Sequence, residues 1–312
     1  MCKTYSEIPI NFNDFKRLLL EDKDIIVKEF LSATHIVFYD TCSFRKHSNI
    51  NISSSNFIID YFLRHNAIVV ITRTILMELA STSGEINDIY ITYLNQLVSS
   101  GIKVILFDEE CVYDVLSECF SSNSSINNYL VWAVRNGKLP AGTTSKTLKN
   151  DSKLSEEVLQ AKHHNKSDLY QRLFSKVRKN KACGDNLGEE LIGICVSILS
   201  HMPGISDGKL IVLTEDKGAA GHLDATYKKT NPNFRGARYV LMSTPKMVQC
   251  IFNEDVGITQ KEMIDILAQG VEGNLVVMGT TACDLTVNPN ISIKVTDLVN
   301  KIMEPNGISI VF

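Results

Sequence analysis

The chain has no apolar run approaching the ~20 residues that a membrane helix requires; the longest candidates, such as Leu191–Leu199, are far too short. Its first residues, Met1-Cys2-Lys3-Thr4-Tyr5-Ser6-Glu7, carry no apolar segment behind their charge and do not read as a secretory signal. Eight cysteines are present, yet no two stand in a C-x-x-C spacing, so they read as small buried residues of a reduced cytoplasmic protein. A large excess of one charge is also missing. A formal net charge of −3 argues against coating nucleic acid over the whole surface and confines any polyanion contact to a local patch or a bound metal. Neither a G-x-x-x-x-G-K-[ST] loop nor a G-x-G-x-x-G turn occurs, which leaves nucleotide-cradling chemistry without support. Internal repeats and low-complexity segments are absent too. What is present is ordinary globular usage: of 312 residues, 44% are hydrophobic and 21% charged, enough for a sizeable core in one large domain or a domain with an appendage.

Short apolar runs alternate with stretches of helical period. His35–Tyr39, Ala67–Ile71, Ile102–Phe107, Leu210–Leu213 and Tyr239–Met242 read as strands. Asn56–Arg64, Arg73–Ala80, Ile86–Leu97 and Gly188–Leu199 read as helices between them. This rhythm predicts an α/β fold, a parallel sheet with helices on both faces, over residues 1–255. Residues 109–181 break the rhythm. Cys111–Phe120, Ile126–Arg135 and Leu154–Arg178 are helical patterns separated by the turn Ser121–Ser125 and the Gly/Pro segment Gly137–Thr144, so this stretch reads as a helical insertion. After two more helices, Lys246–Phe252 and Gln260–Ala268, the tail from Gly273, within the appendage 256–312, alternates extended runs (Leu275–Met278, Ile308–Phe312) with the helix Thr296–Met303. That tail reads as an α+β appendage, either an added edge of the main sheet or an oligomerisation unit.

Ligands of open parallel sheets bind beyond the carboxyl ends of the strands, where chain order reverses. Acids gather at those ends here. Asp40 follows the first strand, Asp216 follows Leu210–Leu213, and Glu78 lies in the helix after Ala67–Ile71. Asp185 and Glu189 stand four apart at the start of the Gly188–Leu199 helix, on one face. Taken singly, each has a plain structural reading: Asp40 as a helix N-cap, Glu78 as a solvated helix residue, Asp185 as a cap with Glu189 favouring the first turn. Taken together, carboxylates from four segments converge on one rim, where their mutual repulsion calls for a hard cation. Mg²⁺ keeps several waters and is held by one or two carboxylates plus a substrate phosphate, and such an ion activates water for in-line displacement.

The stretches Ile36-Val37-Phe38-Tyr39-Asp40-Thr41-Cys42-Ser43, Val69-Val70-Ile71 through Glu78-Leu79, Gly188-Glu189-Glu190-Leu191-Ile192 and Ile211-Val212-Leu213-Thr214-Glu215-Asp216 resemble, in order and spacing, the PIN-domain family of metal-dependent nucleases. The resemblance covers roughly residues 35–107 and 183–250 and leaves the insertion and tail unexplained. It implies cleavage of single-stranded or structured RNA, more rarely DNA, with Mg²⁺ or Mn²⁺. Asp40, Glu78 and Asp216 would be site acids, and Thr214, or Thr41 and Ser43, would support them through hydroxyl hydrogen bonds. The remaining acid is Glu189 or Asp185, with Glu190 on a different, solvated face. The long spacer before Gly188 departs from compact members of the family.

Two other acidic folds fit less well. A haloacid-dehalogenase-type phosphatase wants a second Asp where Cys42 stands, and a von Willebrand-type adhesion site wants serines where Cys42 and Phe44 stand. A basic run, Lys162, Lys166, Arg172, Lys176, Arg178, Lys179 and Lys181, offers cations for RNA phosphates just upstream of Asp185, or else a solvated helix face. His163-His164 point to different faces and make a poor metal pair; Trp132, Tyr170 and Phe174 read as packing. Beyond RNA, the partners in view are a second copy of the chain and an inhibitory or regulatory protein, with no membrane. The competing functions are a non-catalytic scaffold of the same fold and a structure-specific DNA nuclease.

Overall fold

A computed structural model describes residues 5–136, 142–282 and 284–312. After α1 (Phe12–Phe15) and α2 (Lys23–Ser32) come β1 (His35–Tyr39), α3 (Thr41–Ser48), α4 (Ile52–Arg64), β2 (Ala67–Thr72), α5 (Arg73–Ala80), α6 (Asp88–Ser99) and β3 (Val104–Phe107). The insertion holds α7 (Cys111–Ser117), α8 (Asn123–Asn136), α9 (Thr143–Asn150), α10 (Ser152–Leu159) and α11 (Leu169–Lys179). The sheet resumes with α12 (Leu187–Leu199), β4 (Leu210–Leu213), α13 (Lys217–Lys229), β5 (Val240–Met242), α14 (Thr244–Asn253) and α15 (Gln260–Leu267). The tail is β6 (Asn274–Thr281), β7 (Asp284–Lys294), α16 (Val295–Met303) and β8 (Ile308–Ile310).

The five β-branched and aromatic runs form one all-parallel sheet in the order β3-β2-β1-β4-β5. β2 and β3 are buried along their whole length, because helices cover both faces of such a sheet and no residue is left to face water. From β1 the chain steps outward through β2 to β3 at one edge, then returns past β1 and steps outward through β4 to β5 at the other. Chain order therefore reverses between β1 and β4, whose register sets Tyr39 beside Leu213. Asp40 and Asp216 leave the sheet on either side of that reversal. Side-chain N-caps from Asp40, Asn51, Thr72 and Asp216 start the helices that follow the strands or join them.

Three expectations need correction. Leu154–Arg178 is not one helix: α10 and α11 are separated by a polar turn in which Ala161, His164 and Asn165 take left-handed backbone angles. The segment Gln160–Ser167 is rich in His, Asn and Ser, which compete with helical hydrogen bonds. The tail does not extend the main sheet. β6, β7 and β8 pair antiparallel with one another in the order β7-β6-β8, and Val277, Leu298, Val299 and Ile310 join the same continuous core as the sheet. Of the segment Gly137–Thr144, Gly137–Ala141 lies outside the described residues, and Thr143–Asn150 is helical. Among the described residues no helix is long and apolar enough to cross a membrane.

Candidate active site

Asp40 is both helix cap and rim acid. It is buried, its Oδ1 accepts from the Thr41 N–H at 2.6 Å, and its Oδ2 accepts from Thr214 Oγ1 at 3.1 Å. Thr214 in turn accepts from the Asp216 N–H at 3.0 Å, so one hydroxyl ties the two acids that flank the reversal point. Asp216 Oδ1 caps α13 through the Gly218 and Ala219 N–H groups at 2.6 and 3.1 Å; its other oxygen has no partner among the described residues. Glu215, next in sequence, plays no part in the rim. Lys46 at 3.0 Å and the Thr244 N–H at 2.8 Å hold it against the start of α14.

Glu78 on α5 accepts from Thr41 Oγ1, from the Gly188 N–H at 3.3 Å and from Lys181 Nζ at 2.8 Å. Glycine at 188 lets α12 approach α5 this closely without displacing a side chain. A Cβ there would stand 2.8 Å from Ile75 Cδ1 and 3.0 Å from Glu78 Oε1. The next residue, Glu189, projects from the first turn of α12. Neither of its oxygens has a hydrogen-bond or ion-pair partner among the described residues. Burial pushes its carboxyl up to about 8, with the charges of Asp40, Asp216 and Glu78 adding to the effect and Lys181 opposing it. Asp40 is raised to about 6, first by burial, against the Thr214 hydrogen bond and with a further push from Glu78. The charges of Asp40, Asp216 and Glu78 thus reach Glu189, and that of Glu78 reaches Asp40.

Asp185 stands apart from this group. It pairs with Lys181 and accepts from Thr143 Oγ1 at 2.7 Å and the Ala182 N–H at 2.9 Å. Burial works to raise its pKa, but these three donors outweigh it and hold the carboxyl below its ordinary value. Between the two acids left open by the sequence, Glu189 is the unpartnered one and Asp185 the neutralised one. Glu190 is not solvated as expected: it is buried and accepts from the Thr143 and Thr144 N–H groups at 3.2 and 3.1 Å, capping α9. Ser43 also departs from expectation. Its hydroxyl is buried without a hydrogen bond to any described residue, whereas Thr41 and Thr214 do bond the acids.

The basic run is mostly internal ion pairing, which corrects the expectation of a cationic arm. Arg178, only 3% exposed, binds Glu109 at 2.7 Å and Glu110 at 2.6 Å, fastening the insertion to the sheet. Arg172 pairs with Glu157 and Asp168, Lys166 with Glu157, and Lys176 with Asp151. Lys181 is buried between Glu78 and Asp185, beneath the Tyr5 ring at 5.2 Å. Lys162 and Lys179 are exposed. His163 bonds Asn128 at 3.0 Å, Trp132 packs edge-on to His201, and Tyr170 and Phe174 are core.

Two hollows lie along the start of α12, and neither was anticipated from the sequence. One, of about 150 Å³, lies between α12 and α13 with Glu189 and Asp216 in its wall. The other, of about 530 Å³, is lined by Thr143, Lys146 and Asn180 and shares Asn186 and Glu190 with the first. Gly193, inside the apolar Leu191–Leu199 run, was the one sequence signal for the smaller hollow. Among the described residues no three His, Cys, Asp or Glu side chains are grouped closely enough to hold a metal ion together. No family model matches the chain, and no curated protein or solved structure matches it.

Proposed function

We propose that this chain is a metal-dependent phosphodiester hydrolase of PIN-like type acting on RNA. The observation that carries the reading is Glu189: a carboxylate with no partner among the described residues, set beside Asp40 and Asp216 where chain order reverses in a parallel sheet. An unpaired, partly buried carboxylate amid other carboxylates is costly unless function uses it. The donors are all carboxylate oxygens, which suit Mg²⁺ or Mn²⁺. Because no three of the acids are grouped to share an ion, the fit is to a cation that keeps most of its water and takes one or two of Asp40, Glu189 and Asp216. Such an ion would lower the pKa of a bound water and offset charge on the phosphate. Thr214 fixes the spacing of Asp40 and Asp216, and Glu78, paired with Lys181, orients the attacking water. The choice of RNA over DNA rests on the family resemblance. A cytoplasmic location belongs to the same proposal and accords with the free thiols of Cys42, Cys111 and Cys195.

One observation favours a second reading, a non-catalytic module of the same fold: Lys181 already sits on Glu78, and no three acids are grouped among the described residues. Cleavage assays with Mg²⁺ and Mn²⁺ on single-stranded RNA, structured RNA, single-stranded DNA and flap DNA separate the two. Wild-type protein is expected to cut RNA, and Asp40→Asn and Asp216→Asn to cut nothing while keeping native circular dichroism. Undiminished metal-dependent cleavage by both variants would refute the proposal, and cleavage of DNA alone would reassign the substrate.

A further inference from the structure

We infer that the hollow between α12 and α13 seats a single-ring nucleobase, the pyrimidine of the nucleotide flanking the scissile phosphate; this rests on the nuclease reading above. The hollow opens directly off Glu189 and Asp216, and its remaining walls are largely apolar, with Ala133, Ile194 and Leu223 contributing side chains. None of its described lining residues is Lys or Arg, while Glu189, Glu190 and Asp216 are all present. A phosphate is therefore the wrong occupant, and an uncharged planar group the right one. Its volume of about 150 Å³ is that of a cavity that takes one aromatic ring.

Two residues give the hollow its shape and its specificity. Gly193 leaves the floor open: a Cβ at that position would meet Leu223 Cδ2 at 2.7 Å and drive this side chain into the space. His222 is exposed at the mouth, and its ring makes no hydrogen bond to a described residue, so it is free to stack on a base. The larger hollow across Asn186 and Glu190 carries Lys146 and polar side chains, and suits the sugar-phosphate backbone.

Fluorescence anisotropy in Mg²⁺ tests this, using full-length Asp40→Asn protein so that the probe survives. The probes are a short oligouridylate, an oligoadenylate and an abasic ribose-phosphate oligomer of equal length. The expected result is binding of oligouridylate at least about tenfold tighter than the abasic oligomer, and tighter than oligoadenylate. Adding Gly193→Val, or His222→Ala on the surface where folding is not at risk, should remove most of that difference. Equal affinity for oligouridylate and abasic oligomer, a preference for oligoadenylate, or discrimination unchanged in His222→Ala would each overturn the inference. Discrimination that persists while wild-type protein cuts no RNA with either metal would instead overturn the nuclease reading and leave a base-binding cleft.

Discussion

Replacing Glu189 by glutamine should change how the stability of the cation-free protein depends on pH. The carboxyl titrates near 4.5 when unfolded and near 8 when folded, because burial and three neighbouring carboxylates disfavour its charge. A folded pKa above the unfolded one means a stability contribution fully present below pH 4.5 and lost as pH rises through 8. At about 1.4 kcal/mol per pH unit, the loss has a ceiling of about 5 kcal/mol. Solvent reaches the rim, and screening reduces this to about 2 kcal/mol. Wild-type protein in EDTA should therefore need less urea to unfold at pH 9 than at pH 5. Glu189→Gln should lose most of that slope and be the more stable of the two at pH 9 by about 2 kcal/mol, read from the shift in urea midpoint. Mg²⁺ or Mn²⁺ at tenfold its dissociation constant should restore about 1.4 kcal/mol to the wild type at pH 8, and much less to the variant. Parallel pH profiles for the two proteins between pH 5 and 9 would refute the account of Glu189 as an unpartnered acid among acids.

Thr214→Val removes the hydroxyl that joins Asp40 to the Asp216 backbone, and should cost about 1–2 kcal/mol in urea unfolding and lower RNA cleavage without abolishing it. A cleavage rate equal to wild type would mean that this link does not set the spacing of the acids. Lys181→Met leaves Glu78 and Asp185 without their shared cation, and should destabilise the fold by about 2–4 kcal/mol at pH 7. Asp185 has a depressed pKa, so its part of that contribution is present above its unfolded value near 3.8 and disappears as pH falls. Thermal melts of wild type and variant should accordingly converge toward pH 3, and a gap that stays constant from pH 7 to pH 3 would refute the pairing.

The sheet was legible because a strand covered on both faces is apolar at nearly every position; β1 to β4 are such runs, and the partly buried edge strand β5 still carries Val240-Leu241-Met242. The long strand β7 escaped notice for the converse reason. Most of its residues face water, and Asn288-Pro289-Asn290 reads as a turn, yet its backbone finds partners on β6 all the same. The break between α10 and α11 was hidden by apolar residues that keep helical spacing on both sides of a turn whose left-handed angles carry no strong residue signature apart from Asn165.

The acids separate the legible from the illegible more sharply. Asp40 and Asp216 could be placed because a strand's end fixes the residue after it, and their capping of α3 and α13 uses only part of their lone pairs. The reading of an acid as cap and its reading as rim residue are therefore not rivals. Asp185, Glu189 and Glu190 sit on one short stretch, and helical period alone could say which share a face but not what each face meets. Their partners come from Lys181 and from the backbone of Thr143 and Thr144, some forty residues earlier for the latter, in an insertion that no strand pattern anchors. The insertion thereby takes up Asp185 and Glu190, and by default leaves Glu189 facing Asp40 and Asp216. Which of three neighbouring acids serves the rim is thus decided by the part of the chain that lies outside the sheet.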